Sequence, residues 1–260
     1  MRATFQETAE PPVFLGLLAN KQRWRMVCAL AKGDRRVSEL VTLLEEPQNL
    51  VSYHLRQLRG QEVVRERRSS ADQRDVYYSL NLARLRGDLL ATAESLHPGL
   101  VSVETESAGS AADLEPGLRI LFLCTHNSAR SQMAEGLLRR LSDGRIESFS
   151  AGTEPSKVHP LAIAAMDAED IDIRGQRSKS LDEYLGQPFD YVITVCDRAS
   201  ESCPVFPGAP ERIHWSIADP AAVEGSDEKQ LRAFQDALID LRTRIGYLLI
   251  LLRRSNRPPS

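Results

Sequence analysis

The 260-residue sequence predicts two domains of unlike class: a mainly α front with a β-hairpin, and an α/β back built as a doubly wound parallel sheet. Three observations predict this. Two short helical runs broken at Pro47 lead into two strand-like runs. Further on, the apolar run "RILFLC" turns through a polar stretch into the helical run "SQMAEGLLRRL". The charge also divides: residues 1–97 hold 15 Lys/Arg and 12 Asp/Glu, leaving 18 and 24 to the rest. A basic front and an acidic back imply that the front meets a polyanion.

In the front, "VSELVTLL" and "NLVSYHLRQL" are the two helices, separated by "EEPQ". Val51, Leu55 and Leu58 share one face of the second helix, and Asn49, Ser52, Tyr53 and Arg56 lie opposite. "VVRERRSS" and "DVYYSLN" read as strands joined by the polar tip "ADQR", and "LARLRGDLLATAESL" returns to helical spacing. This order is a winged helix-turn-helix plan. The second helix would offer Gln48, Asn49, Ser52, Tyr53 and Arg56 to the major groove, while Arg65, Arg67, Arg68 and Arg74 of the hairpin would meet phosphates. "VSYHLRQLRGQEVV" followed by "VYYSL" resembles the ArsR family of bacterial repressors over about residues 12–97. That resemblance implies operator DNA as partner and a homodimer formed through this domain. Arsenite-sensing members carry a Cys-x-Cys pair where this chain reads "RRVSEL", so Arg36 and Ser38 stand in place of thiolates. A soft trivalent ion prefers sulfur, and the inducer stays open. Cys28, in "WRMVCALA", is expected as a small core residue.

Residues 98–117, rich in Ser, Gly, Ala and acid, have linker composition, giving domains at 1–97 and 118–260. Four cysteines are too few for a disulfide scaffold, and no signal-peptide layout or membrane-length apolar run is present, so a cytoplasmic protein is expected. No His/Cys cluster has metal-ligand spacing, so no metal is expected.

The chemistry sits in the turn after "RILFLC". It places Cys124 at a strand end, with the backbone N–H groups of Thr125, His126, Asn127, Ser128, Ala129, Arg130 and Ser131 around an anion-sized hollow at a helix start. Those dipoles favour an oxyanion, and they favour a nucleophilic thiolate at Cys124. Arg130 supplies a planar fork for two oxyanion oxygens, and Ser131 a donor to the thiolate. "YVITVCDRASESCP" is a second strand ending at Cys196, with a polar turn to Cys203. The pair suits a redox relay after local rearrangement, although two inert thiols fit the same spacing. Asp219, before Pro220, can act as general acid for a leaving oxygen.

Together "CTHNSARSQMAEG", "SAGTEP", "VITVCDRASESCP" and "HWSIADP" resemble the thioredoxin-coupled arsenate reductases, which share their fold with the low-molecular-weight tyrosine phosphatases. The resemblance implies that Cys124 attacks arsenate held by the loop and Arg130, while Asp219 protonates the departing oxygen. Cys196 then attacks Cys124 and releases arsenite, Cys203 attacks Cys196, and thioredoxin reduces the last disulfide. No prosthetic cofactor is implied. Two other readings compete: a tyrosine phosphatase with a DNA-binding appendage, and a non-catalytic oxyanion-sensing regulator.

Two departures qualify the pattern. Ala221 follows Asp-Pro where phosphatases place an aromatic, which favours a small inorganic substrate. Some relatives hold a monovalent cation at positions matching Asn127, Glu135 and Ser150. Their remaining carboxylate aligns with Lys179, whose ammonium is expected to fill that place and pair with Glu135; the other reading is a solvated surface charge. His126 and His214 receive no acid–base role, and His54 and His159 read as helix residues. The last helix, from about Asp227, shows an apolar stripe from Leu231 to Leu248 that would pack on the sheet.

Overall fold

A computed structural model describes residues 11–72, 74–97, 100 and 114–255. The chain divides into two compact units: an N-terminal one of Met1–Arg68 with Asp75–Glu104, and a C-terminal one of Thr105–Ser260 to which Ser69–Arg74 is also assigned. Of the expected linker, 98–117, residues 98, 99 and 101–113 lie outside the described residues.

In the N-terminal unit, helices α1 (Val13–Leu18), α2 (Lys21–Leu30), α3 (Val37–Leu44) and α4 (Gln48–Gly60) precede strands β2 (Val64–Arg68) and β3 (Val76–Leu80) and helix α5 (Leu82–Leu96). Local chemistry sets the helix ends. Asn20 accepts from the Gln22 and Arg23 amides to cap α2, a contact contributing about 1 kcal/mol. Left-handed Glu45 ends α3, and Pro47 opens α4. Val51, Leu55 and Leu58 of α4 are buried with Met26, Leu30, Leu40 and Leu44.

Two points differ from the sequence expectation. A two-residue strand β1 (Arg35–Arg36) joins the hairpin, giving a three-stranded antiparallel sheet of order β1-β3-β2. So short a strand has no periodicity to read. Cys28 is exposed rather than in the core. On α2 the buried arc runs through Met26, Val27, Ala29 and Leu30, which turns Cys28 outward with the half-exposed Trp24.

The C-terminal unit holds a four-stranded parallel sheet: β4 (Arg119–Cys124), β5 (Glu147–Gly152), β6 (Tyr191–Thr194) and β7 (Glu211–His214) in the order β5-β4-β6-β7. Helices α6 (Arg130–Leu141), α7 (Pro160–Asp167) and α9 (Asp227–Ser255) pack with it, α9 burying Phe234, Leu238, Leu241, Ile245 and Leu248 as its stripe predicts. β4 is buried along its whole apolar run, the pattern of a central parallel strand. Because β5 is added on one side of β4 and β6 on the other, the order of strand addition reverses at β4, where such sheets form a crevice at strand C-termini. The expected polar turn between Cys196 and Cys203 contains a short helix, α8 (Asp197–Glu201), with Cys196 as its N-cap. His159 caps α7 through its own side chain instead of lying inside a helix. Among the described residues, no helix is long and apolar enough to cross a membrane.

Candidate active site

β4 delivers Cys124 to the crevice, and α6 starts six residues later at Arg130. The loop between them is shaped from outside. Its carbonyls are drawn outward: Thr125 O accepts from the Glu154 amide at 2.9 Å, His126 O from Ser156 at 3.1 Å, and Ser128 O from His159 at 2.8 Å. Successive amides are thereby left to face the hollow, and the Asn127 N–H donates to Cys124 Sγ at 3.1 Å. A Cβ on Gly152 would come within 2.5 Å of Thr125 O and 2.8 Å of Asn127 N, so the loop closes over a residue that must be glycine.

Asn127 is the strained member, left-handed at φ 44 and fully buried. Its carboxamide offsets that strain. The Lys179 amide donates to Asn127 Oδ1 at 2.7 Å, which fixes which end is oxygen. Nδ2 then donates to Ser131 Oγ and to Ser150 Oγ, each at 2.8 Å. With that lone pair taken, the Ser131 hydroxyl hydrogen is free to donate to Cys124 Sγ, 2.9 Å away. Ser150 in turn donates to Glu135 Oε2 at 2.5 Å, and the Lys179 ammonium donates to the same oxygen at 2.9 Å. Lys179 is 8 % exposed, which excludes the solvated-charge reading, and Arg139 takes the other Glu135 oxygen at 2.7 Å. The buried carboxylate is thus two hydrogen bonds, and the ammonium three, from Asn127, whose own amide holds the thiol.

Arg130 is 5 % exposed; Nη2 donates to Asp219 Oδ2 at 2.8 Å and Nη1 to the Ile217 carbonyl at 3.0 Å. Asp219 caps a 3-10 turn, accepting from the Ala221 amide at 3.1 Å. Sequence-distant Arg130 and Asp219 therefore meet at the mouth of the loop. Cys196 reaches the site from β6: its Sγ is 3.4 Å from Thr125 Oγ1. Burial, and then the neighbouring Cys124, push the Cys196 thiol above its ordinary range, with Arg130 pulling the other way. Cys203 is half-buried after α8. Asp197, in the first turn of α8, accepts from Ser216 Oγ at 2.6 Å and lies 3.3 Å from His214 Nε2, which ties α8 to the segment leading to Asp219. His126 stands exposed at the rim, its Nδ1 3.2 Å from Glu154 O.

Sequence reasoning missed three contributors. Gln132 is wholly buried and its Nε2 reaches Asn127 O, Asn127 Oδ1 and Arg177 O at 3.1, 2.8 and 2.8 Å. Gly152 and the Thr125 side chain were the others. At helical spacing Gln132 shares its side with Glu135, Gly136 and Arg139, so no sequence signal marked it as buried. Among the described residues, no group of three or more His, Cys, Asp or Glu is placed to hold a metal ion.

In the N-terminal unit, Gln48, Asn49, Tyr53 and Arg56 are exposed on α4, and Ser52 is partly so. Arg68 is exposed and Arg67 partly exposed, Arg67 Nη1 donating to Arg68 O; Arg74, assigned with Ser69–Arg74 to the other unit, is exposed. Arg36, where sulfur was absent, pairs with Asp75 at 2.7 Å while its amide donates to Glu39 at 2.8 Å.

A thiol in the loop between a central parallel strand and a helix, with a buried arginine at the helix start, is the feature around which this α/β unit is built. Residues 119–256 match the family described as low molecular weight phosphotyrosine protein phosphatase, and the chain belongs to that family. Residues 20–66 match the helix-turn-helix described as bacterial regulatory protein, arsR family, so the N-terminal unit carries an ArsR-type domain. The arsenate reductase of Halalkalibacterium halodurans is 42 % identical over 126 residues, which are 48 % of this chain and 91 % of that protein. That of Oceanobacillus iheyensis is 40 % identical over 127 residues, 49 % and 88 % respectively. A solved arsenate reductase in its oxidized state is 31 % identical with a TM-score of 0.46, covering 52 % of this chain and 98 % of its own.

Proposed function

We propose that the C-terminal unit reduces arsenate to arsenite through Cys124, Cys196 and Cys203, and that the N-terminal unit binds operator DNA as a homodimer. The observation that carries the reductase reading is the placement of a second thiol, Cys196, one threonine hydroxyl from the loop that holds Cys124. A hydrolytic site has no use for that thiol. The Cys124 thiolate attacks arsenate bound by the loop amides and Arg130, and Asp219 protonates the departing oxygen. Cys196 then attacks Cys124 Sγ: the Cys124–Cys196 bond forms, the arsenic–sulfur bond breaks, and its electron pair leaves with arsenite. Two electrons pass from sulfur to arsenic. Cys203 displaces Cys124 from Cys196, and thioredoxin reduces the resulting disulfide, so no prosthetic cofactor is used. α8 separates Cys196 from Cys203 and has to unwind for this transfer. The dicysteine chemistry and the reducing partner fit a cytoplasmic protein.

The test is NADPH consumption with thioredoxin, thioredoxin reductase and arsenate, in the wild type and in Cys124→Ser, Cys196→Ser and Cys203→Ser. The reductase reading is abandoned if arsenate drives no NADPH consumption while an aryl phosphate is hydrolysed. A regulator that only senses the anion would stall after a single event.

The pH dependence has a definite sign. Burial keeps Cys196 protonated near neutrality, and only its thiolate attacks. The single-turnover rate of arsenite release should therefore climb as pH rises from neutral into the alkaline range. A rate flat across that range would remove Cys196 as the attacking group.

For the DNA-binding unit, α4 presents Arg56 and Asn49 beside exposed Tyr53, over a buried apolar face. Against a duplex selected from a random library, Arg56→Ala should weaken binding about tenfold, an amount within the usual range for one groove contact. Unchanged affinity, read by fluorescence anisotropy at fixed salt, would place the groove contact elsewhere.

A further inference from the structure

Cys203 has to do the hardest thing asked of a half-buried thiol, which is to ionise and attack a disulfide. Burial pushes it above its ordinary range. What opposes this is a cation on the neighbouring strand. Arg212 lies on β7, the edge strand of the sheet, and its Nη2 donates to the Cys203 carbonyl oxygen at 3.0 Å. The same guanidinium acts on the thiol itself, pulling it back toward the ionised form. The Cys203 side chain packs against the core of the unit, with Val205 two residues on almost fully exposed. Cys203 is thus pinned at its backbone, while α8, which joins it to Cys196, is only five residues long.

We propose that Arg212 is a positioning residue for the last step of the relay: it anchors Cys203 to β7 and stabilises the Cys203 thiolate that attacks Cys196. This rests on the three-cysteine reading above. In that step the Cys203 proton goes to solvent, the Cys203–Cys196 bond forms, the Cys124–Cys196 bond breaks, and Cys124 leaves as thiolate with no net change in oxidation. Anchoring Cys203 assigns the movement to α8 and Cys196. Arg212 is exposed, so its charge acts through partly screened solvent and the effect is modest.

The experiment uses the full chain, reduced, and follows iodoacetamide alkylation of each cysteine by peptide mass spectrometry from about pH 6 to about pH 10. Arg212→Gln keeps a donor for the Cys203 carbonyl and removes the charge; Arg212→Lys keeps the charge. Arg212→Gln should slow Cys203 alkylation near neutral pH about fivefold and displace its profile to higher pH, while Arg212→Lys stays within about twofold of wild type. Exposed Cys28 serves as the internal reference. With one equivalent of arsenate, Arg212→Gln should accumulate the Cys124–Cys196 disulfide. Superposable wild-type and Arg212→Gln profiles, or an Arg212→Lys protein as slow as Arg212→Gln, overturn the proposal. Wild-type protein in which arsenate oxidises no cysteine would sink the reductase reading instead, and the alkylation profiles would still decide what Arg212 does to Cys203.

Discussion

Cys196→Ser should lower thioredoxin-coupled arsenate turnover by about a thousandfold or more, while aryl-phosphate hydrolysis stays within a small factor of wild type. The two activities part at the second step. In the proposed mechanism both begin with attack by Cys124 on a tetrahedral oxyanion in the loop, using Arg130 and Asp219, and none of those groups is altered. Hydrolysis then needs water. Reduction needs a second sulfur to supply the electron pair, and a serine oxygen cannot. The substitution is small, and Cys196 Sγ makes only long contacts, 3.4 Å to Thr125 Oγ1 and to the Ala199 amide, so α8 should keep a serine cap. Steady-state assays of both reactions on one preparation check this. Equal loss of both activities would mean that the substitution had disturbed the loop, and equal retention would remove Cys196 from the reaction.

Lys179→Met should cost about 3 kcal/mol of unfolding free energy, read by urea denaturation, and lower turnover about tenfold. The reason is the carboxylate left behind. Glu135 is 7 % exposed at its side chain and shares Oε2 between Lys179 and Ser150. Removing the ammonium strands much of its charge in a water-poor interior, although Arg139 on the other oxygen limits the damage. Ser150 also accepts from Asn127, whose carboxamide holds Ser131 against Cys124, so disorder at Glu135 reaches the nucleophile. Pairing the change with Glu135→Gln should recover part of the stability, since no lone charge then remains buried. Wild-type turnover should be indifferent to exchanging potassium chloride for choline chloride at constant ionic strength, because an ammonium already neutralises Glu135. Potassium activation of the wild type would contradict that account.

Much of the front unit was legible in the sequence because its information is local. Pro47 breaks two helices, Val51, Leu55 and Leu58 recur at helical spacing, and both properties depend on neighbours three or four residues away. Cys28 shows the limit: its apolar surroundings in sequence suggested a core, but the direction of the α2 stripe turned it to solvent. The segment after Cys196 shows another. Five residues of α8 are too few for a periodic signal, and the Asp197 contacts to Ser216 and His214 that hold it come from the end of the neighbouring strand β7 and the residues just after it.

By itself the sequence determined the loop that carries Cys124, because an apolar strand, an anion-sized turn and a helix follow one another without interruption, and amide direction there is a property of the local backbone. It also determined the order of elements in both units. The tertiary structure decided which distant groups attend that loop. Asp219, Cys196, Lys179 and Gly152 arrive from four separate segments. Their meeting depends on parallel strand register and on the reversal of strand order at β4, which no window of sequence contains. It also decided that a lysine lies buried against Glu135, since only packing from several elements can take an ammonium out of water and repay it with a carboxylate.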